Sequence, residues 1–361
     1  MRETQILPLV VIALVAALVS VVAMWSLDRS KQGVDLTKTV RGTDAFIEWK
    51  LVTTWPKGLP GLGAAPENFA RRVNEASGGR LRIKVFGAGE IVPPFEVFDA
   101  VSRRVAEAGH GASYYWKGKI PASVFYTAVP FGMTAQEANG WLHYGGGLEL
   151  WRELYAPFGV VPFAGGSTGV QMAGWFNKRL NNREDLAGLK MRIPGLAGEV
   201  FDAAGGSAVR IAGGEVYTSM QTGVIDAVEW VGPYNDRTLG LMEVGDYYYY
   251  PGWHEPGAML EIIVNEEALA ALPEDLQAIV TVAARATNSD MLDDFTAHNS
   301  ESLEILLRDF DMELLPLPDD VMDILYEESQ VAVQALIDAD PMAAKIAVSY
   351  FDFFQRVRTY H

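Results

Sequence analysis

The sequence predicts an α/β fold of two lobes, with one helix long enough to lie across both. Three observations carry this. Strand-like and helix-like segments alternate from residue 48 onward, the rhythm of a largely parallel sheet. A chain of 361 residues holds two domains at roughly 100–200 residues each. And the 42 residues between Pro273 and Pro316 contain neither Gly nor Pro.

In order, EWKLVTTWP (48–56) has strand character, and ENFARRVNEASGGR (67–80) is an amphipathic helix stopped by Gly78-Gly79. LRIKVFG (81–87) alternates as a strand should, and FEVFDAVSRRVAEAG (95–109) reads as helix. A second α/β stretch begins near Val160, with strands at VQMAGWF (170–176), LKMRIPG (189–195) and IDAVEWV (225–231). Helices are expected from Ala197 to about Ala204 and at GEVYTSMQTG (214–223), and MLEIIVN (259–265) is another strand. A helix of about 35 residues after Pro273 spans roughly 50 Å, more than one small domain; a helix with an unmarked break fits the same run. The Tyr247–Tyr250 run reads as packing. The segment from Asp319 to Tyr360 is helical and rich in apolar and aromatic residues, able to pack on its own lobe or to swap into a homodimer. No internal repeat or low-complexity region is present.

Composition narrows the function. With 49% hydrophobic residues, 9 Trp and 14 Tyr, the chain has ample core. A formal net charge of -17 disfavours nucleic acid and anionic membrane surfaces as partners. It does not repel a small anion held by a single buried Arg. The absence of cysteine excludes thiolate nucleophiles, Cys-bound zinc, iron–sulfur clusters and disulfides. From Ile6 to Trp25 the chain runs 20 residues without a charge, longer than the usual h-region of about 7–15 residues. Residues 1–27 are therefore a long signal peptide or an uncleaved membrane anchor, and 28–45 a polar linker. Export is the better reading.

Several motifs compete. GGSTG (165–169) matches a nucleophile elbow, with Ser167 followed in order by Asp226 and His254, yet the following VQMAGWF is strand-like where the elbow needs a helix. The five His are scattered without an H-x-x-x-H pair, against a His-based metal site. GLPGLGAAP (58–66) fails as a dinucleotide fingerprint, because Pro66 stands where the last Gly or Ala belongs. Two features survive. Arg192, inside an apolar strand before a Pro-Gly turn, is either solvent-exposed, ion-paired, or a fork for a carboxylate in a cleft. Gln171, Glu229 and Glu255 lie on strand-like or strand-end segments; they are unrelated polar positions or oxygen ligands, and as ligands they suit a hard cation.

The blocks FGAGEIVPPFEVFDAV (86–101), YYWKGKIPASVFYTAVPFGM (114–133), GVQMAGWFNK (169–178), DLAGLKMRIPGLAGEVF (185–201), GEVYTSMQTGVIDAVEWVGPYND (214–236) and PGWHEPG (251–257) occur in one order. Together they resemble the periplasmic solute-binding proteins of tripartite ATP-independent periplasmic (TRAP) transporters, most closely those binding 2-oxo acids such as pyruvate. The resemblance covers the chain after residue 45. It implies a two-lobed periplasmic-binding-protein fold with hinge strands, lobe I comprising 46–167 plus 257–297 and lobe II 168–256 plus 298–361. It implies that Arg192 clamps the ligand carboxylate. It implies a bridging metal ion, Na⁺ or Ca²⁺, held by the Gln171 side chain, the Glu229 carboxylate, the Trp230 backbone carbonyl and Glu255. Tyr114 and Tyr115 become pocket walls or hydroxyl donors. The partners implied are a small carboxylate and the TRAP membrane subunits, and no reaction is catalysed. The other readings are an esterase using Ser167, or the same receptor fold holding a C4-dicarboxylate or sugar acid.

Overall fold

The chain crosses between two sheets, and the crossings matter more than either sheet. The structure, a computed structural model, describes residues 46–359. The expected signal or anchor (1–27) and the linker (28–45) lie outside the described residues. Among the described residues no helix is long and apolar enough to cross a membrane.

The elements run β1 (Ile47–Thr53), α1 (Ala64–Ala76), β2 (Leu81–Phe86), α2 (Val97–Ser102), β3 (Ala108–Gly111), α3 (Ala135–Tyr144), α4 (Gly147–Tyr155) and β4 (Val160–Gly169). There follow β5 (Gly174–Phe176), β6 (Lys190–Arg192), α5 (Gly195–Ala203), β7 (Ser207–Val209), α6 (Val216–Gln221), β8 (Ala227–Val228), α7 (Pro233–Thr238) and β9 (Tyr247–Tyr250). The chain closes with β10 (Ala258–Asn265), α8 (Glu266–Ala270), α9 (Glu274–Asp309), β11 (Glu313–Pro316), α10 (Asp319–Ala339) and α11 (Pro341–Arg358).

The first sheet has the order β2-β1-β3-β10-β4 and the second β11-β9-β5-β8-β6-β7. The β-α-β-α start gives the parallel pairs β1 with β2 and β1 with β3, but β10 runs antiparallel to both β3 and β4. The first sheet is thus mixed rather than largely parallel, because β10 enters it from the second sheet. β4 belongs to the first sheet, so the second α/β unit starts after it, not near Val160. Its strands are shorter than their apolar runs suggest. VQMAGWF contributes only Gly174–Phe176 and IDAVEWV only Ala227–Val228. The helix read over 95–109 ends at Ser102, where Arg104 turns to φ 57° and the chain heads into β3.

The 36-residue helix α9 is unbroken, about 54 Å long at 1.5 Å per residue. Glu274 and Asp275 in its first turn and Arg308 in its last complement the helix dipole. Its buried stripe, from Leu276 through Met291 and Phe295 to Leu306, serves both sheets. Phe295 lies against Gly61 beside the first sheet and edge-on to Tyr234 of α7 beside the second, while Asn299 accepts the Tyr234 N–H at 3.0 Å.

The C-terminal helices part company. α10 packs Val321 and Leu325 into a cluster with Ala197, Val200 and Phe201 of α5. α11 returns to the other side. Tyr350 Oη accepts the Met133 N–H, the Trp141 indole donates to Ser349, and Lys345 pairs with Glu153 at 2.6 Å. Residues 341–358 therefore pack with α3 and α4, which lie on the first sheet, and not in the second lobe where the sequence put 298–361 whole. The break is local chemistry: Asp340 caps α11 by accepting from Met342 and Ala343, and Pro341 stands at its first position. Asp340→Ala is expected to cost about 1 kcal/mol, measured by urea unfolding, with ligand binding unchanged.

Candidate functional site

The chain passes from the first sheet to the second at 170–173 and returns at 251–257. β4 and β10 pair up to the mouth of both crossings, Gly169 opposite Ala258, so residues just beyond them are brought together. Gln171 N–H donates to the Glu255 carbonyl at 3.2 Å, and the Gln171 side-chain amide donates to Glu255 Oε2 at 2.7 Å and to Thr168 Oγ1 at 3.0 Å. In the second sheet β6 and β8 run parallel with Arg192 opposite Val228. This places the Arg192 side chain beside Glu229, one residue past β8.

Arg192 and Glu229 are 1% and 0% exposed, an internal ion pair with Nη1 donating to Oε2 at 2.9 Å. Nη1 also donates to the Glu229 carbonyl at 2.6 Å, Nε to the Ile211 carbonyl at 3.3 Å and Nη2 to the Tyr115 hydroxyl at 3.3 Å. Of five N–H donors, four are used among the described residues, leaving one on Nη2. The guanidinium also lies over the Trp230 ring at 4.8 Å. Burial works against its charge, but Glu229 and the neighbouring tyrosines outweigh that and hold its pKa above the ordinary value.

Glu255 sits in the same buried space. Burial, and then the charge of Glu229, raise its carboxyl well above the usual range, against the pull of Tyr114 and Arg192. Tyr114 and Tyr115, on the 3₁₀ turn Ser113–Trp116, meet edge to face at 4.8 Å. Burial raises both phenols, most strongly Tyr114, beside Glu255. Trp55, at the end of β1, closes this wall edge-on to Trp230 at 6.2 Å, its indole donating to His110 Nδ1 at 2.9 Å. That donor fixes the His110 tautomer: Nε2 carries the proton and donates to the Gly165 carbonyl at 3.2 Å. Burial lowers the His110 pKa to about 4 although the Gly165 bond opposes it, so the ring stays neutral.

Gln171 Oε1 and Glu229 Oε1 are buried without a hydrogen-bond partner among the described residues. Each orphan costs on the order of 1–3 kcal/mol, a cost that a cation bound between them would remove. The donor set fits a hard cation: oxygens from an amide and two carboxylates. The structure adds His254, which the sequence offered only as a triad member. It is 1% exposed, with neither ring nitrogen hydrogen-bonded among the described residues and Nε2 3.5 Å from Glu229 Oε1. Glu229, His254 and Glu255 each present a ligand atom, all within 4.8 Å of one another. Sequence periodicity missed His254 because adjacent residues point apart in a strand but can converge in a crossing; its place beside Glu255 in WHEPG was the only signal.

The nucleophile elbow is absent. Ser167 lies inside β4, donates to the Ala258 carbonyl at 2.9 Å and accepts from Gly169, and an extended crossing follows instead of a helix. Asp226 is engaged by the Lys190 N–H at 2.9 Å, and His254 faces Glu229.

Comparison with known proteins gives this site a context. Residues 51–339 match the model of bacterial extracellular solute-binding protein, family 7. The chain belongs to this family. A relative, the monocarboxylate 2-oxoacid-binding periplasmic protein of Nostoc sp., is 45% identical over 286 residues, 79% of this chain and 78% of its own length. A TRAP periplasmic solute-binding protein from Colwellia psychrerythraea, solved with bound calcium and pyruvate, superposes with a TM-score of 0.85 at 41% identity, covering 87% of this chain and 96% of its own. One from Pseudoalteromonas atlantica, solved with sodium and pyruvate, also gives 0.85 and 41%, over the same 87% and 96%. This chain has the two-lobed α/β fold of those TRAP proteins.

Proposed function

We propose that this protein is the extracytoplasmic receptor of a TRAP transporter. It captures a small monocarboxylate, a 2-oxo acid such as pyruvate or a 2-hydroxy acid such as lactate, between its lobes with a bridging Na⁺ or Ca²⁺, and delivers it to the membrane subunits. The observation that carries this reading is the buried meeting of Arg192, Gln171, Glu229 and Glu255 at the crossings between the two sheets, with two oxygens left unpartnered.

Each residue has a role. Arg192 binds the carboxylate through its remaining Nη2 hydrogen. Gln171, Glu229, the Trp230 carbonyl and Glu255 hold the cation, and Tyr114 and Tyr115 wall the pocket. Two glutamates alone repel an anion; the cation between them reverses that sign. A 2-oxo acid suits the arrangement because a carboxylate oxygen and the keto oxygen form a five-membered chelate. The protein is read as a binder and not an enzyme: Gln171, Glu229 and Arg192 form no general-base or nucleophile constellation, and the family it matches is one of solute-binding proteins. It is exported to the periplasm, its N-terminal apolar segment serving as signal or anchor. The first lobe carries the first sheet with α11, the second lobe the second sheet with α10.

Calorimetry on chelator-treated protein tests the proposal. Pyruvate is expected to bind one site only when Ca²⁺ or Na⁺ is restored. Glu229→Gln keeps a hydrogen-bond acceptor for Arg192 but loses the charge, and its cation affinity should fall at least about tenfold. Circular dichroism checks that the variant is folded. Full-affinity pyruvate binding in the absence of any cation overturns the bridging metal. Binding of a C4-dicarboxylate or sugar acid in preference to pyruvate overturns the ligand class.

A further inference from the structure

Asp236 stands apart from the acid cluster, in the first turn of α7, buried at 1% exposure. Nothing proposed above gives it a task, yet it collects four hydrogen bonds. Oδ1 accepts the N–H groups of Val231 at 3.3 Å and Gly232 at 3.1 Å. Oδ2 accepts the Trp175 indole N–H at 3.1 Å and the Tyr248 hydroxyl at 2.8 Å. Trp175 and Tyr248 are register partners on β5 and β9 and stack at 4.1 Å, so both reach the same oxygen from one wall. Three of the four are N–H groups that can only donate. A carboxylate meets all of them, whereas an amide would set its own N–H₂ against one.

The Val231 N–H belongs to the same peptide unit as the Trp230 carbonyl. A planar trans peptide points its C=O opposite its N–H. A carboxylate on the N–H therefore aims the carbonyl away from itself and polarises the unit, placing more negative charge on the carbonyl oxygen. Trp230 is 4% exposed. The carbonyls on either side are taken: that of Glu229 by Arg192 and that of Val231 by the Met172 N–H. Among the described residues no donor reaches the Trp230 carbonyl between them.

We infer that Asp236 is a positioning residue for the cation, acting through the Val231 N–H to orient the Trp230 carbonyl and enrich its charge as a metal ligand. This rests on the metal-bridged reading of the site. It assigns Asp236 as the outer support of a backbone ligand, in the way a carboxylate supports a metal-bound histidine.

The sequence permits a direct test. Trp230-Val231 is the only Trp-Val pair in the chain, so labelling Trp with ¹³C at the carbonyl and Val with ¹⁵N gives one cross-peak in a carbonyl-to-amide correlation spectrum. That peak reports both ends of this peptide. In chelator-treated wild type, saturating Ca²⁺ or Na⁺ is expected to move the carbonyl and amide-proton shifts together. In Asp236→Asn the amide proton should move upfield before any cation is added, and cation affinity by calorimetry should fall about tenfold or more. A purely structural role would lower the melting temperature while leaving cation affinity at the wild-type value, and that outcome overturns the inference. So does a wild-type carbonyl peak that stays still while calorimetry shows the cation bound, a result readable even if the variant fails to fold. Wild type that binds no cation at all fails earlier, and there the bridging reading falls together with this inference.

Discussion

Arg192→Ala is expected to abolish measurable monocarboxylate binding and to destabilise the fold by about 3–5 kcal/mol. The two losses have different causes. Glu229 is fully buried, and its partner in the ion pair is Arg192. Removing the guanidinium leaves a carboxylate to be buried alone or protonated. Binding suffers separately, because the ligand's own carboxylate loses its charge-assisted donor; truncating one side of such a buried pair costs on the order of 2–5 kcal/mol, roughly 30- to several-thousand-fold in affinity. A double variant, Arg192→Ala with Glu229→Gln, pulls the two apart. Removing both charges eliminates the unpaired carboxylate, so stability should recover part of the way toward wild type while binding stays lost. Urea unfolding reads the first and calorimetry with pyruvate the second. Arg192→Lys should not rescue binding, because an ammonium cannot at once reach Glu229, Tyr115 and Ile211 as the fork does. Wild-type affinity in Arg192→Ala would remove Arg192 from the site.

What was legible in the sequence depended on whether local chemistry decided it. The Gly- and Pro-free run after Pro273 became α9 because helix punctuation is local and nothing interrupts it. MLEIIVN became β10 for a similar reason, an apolar run between turn signals. The short strands of the second sheet were over-read. The chain keeps an apolar composition at 170–173, where it crosses between sheets, and at 229–231, where it leaves β8 for α7; both stretches lie outside the paired strands. Those are the stretches that carry Gln171, Glu229 and Trp230. An apolar stretch just past a strand end thus looks like a strand extension until pairing is known. Composition left Glu229 as an awkward polar residue in an apolar run; only the register of β6 against β8 sets it on Arg192. The return of α11 to α3 was illegible too, since Tyr350 and Ser349 find Met133 and Trp141 more than 200 positions away.

Glu261 should make this protein lose stability as pH rises from about 4.5 to about 8. Every residue of β10 is buried, so alternation gave no warning that a carboxyl on this strand points into the core. Oε1 accepts the Trp116 indole N–H, and Oε2 accepts the Tyr155 hydroxyl at 2.9 Å; among the described residues no cation pairs with it. Burial raises its pKa from 4.5 to about 8, although both hydrogen bonds pull the other way. Between those two values the unfolded chain has given up its proton and the native state has not. The native state binds more protons, so stability is greatest below the lower pKa. It declines by up to about 1.4 kcal/mol per pH unit and levels off once the native carboxyl also ionises. His110 slopes the other way: its lowered pKa makes the native state bind fewer protons between about 4 and 6.5. Comparison with Glu261→Gln cancels that contribution, because His110 is present in both proteins. The amide keeps an acceptor for Trp116 and can donate to the Tyr155 oxygen, so the variant should fold. Melting temperatures of both proteins at pH 5, 6.5 and 8 give the result: the wild-type advantage should shrink steadily with rising pH. An equal difference at all three values would mean that Glu261 does not hold its proton in the native core.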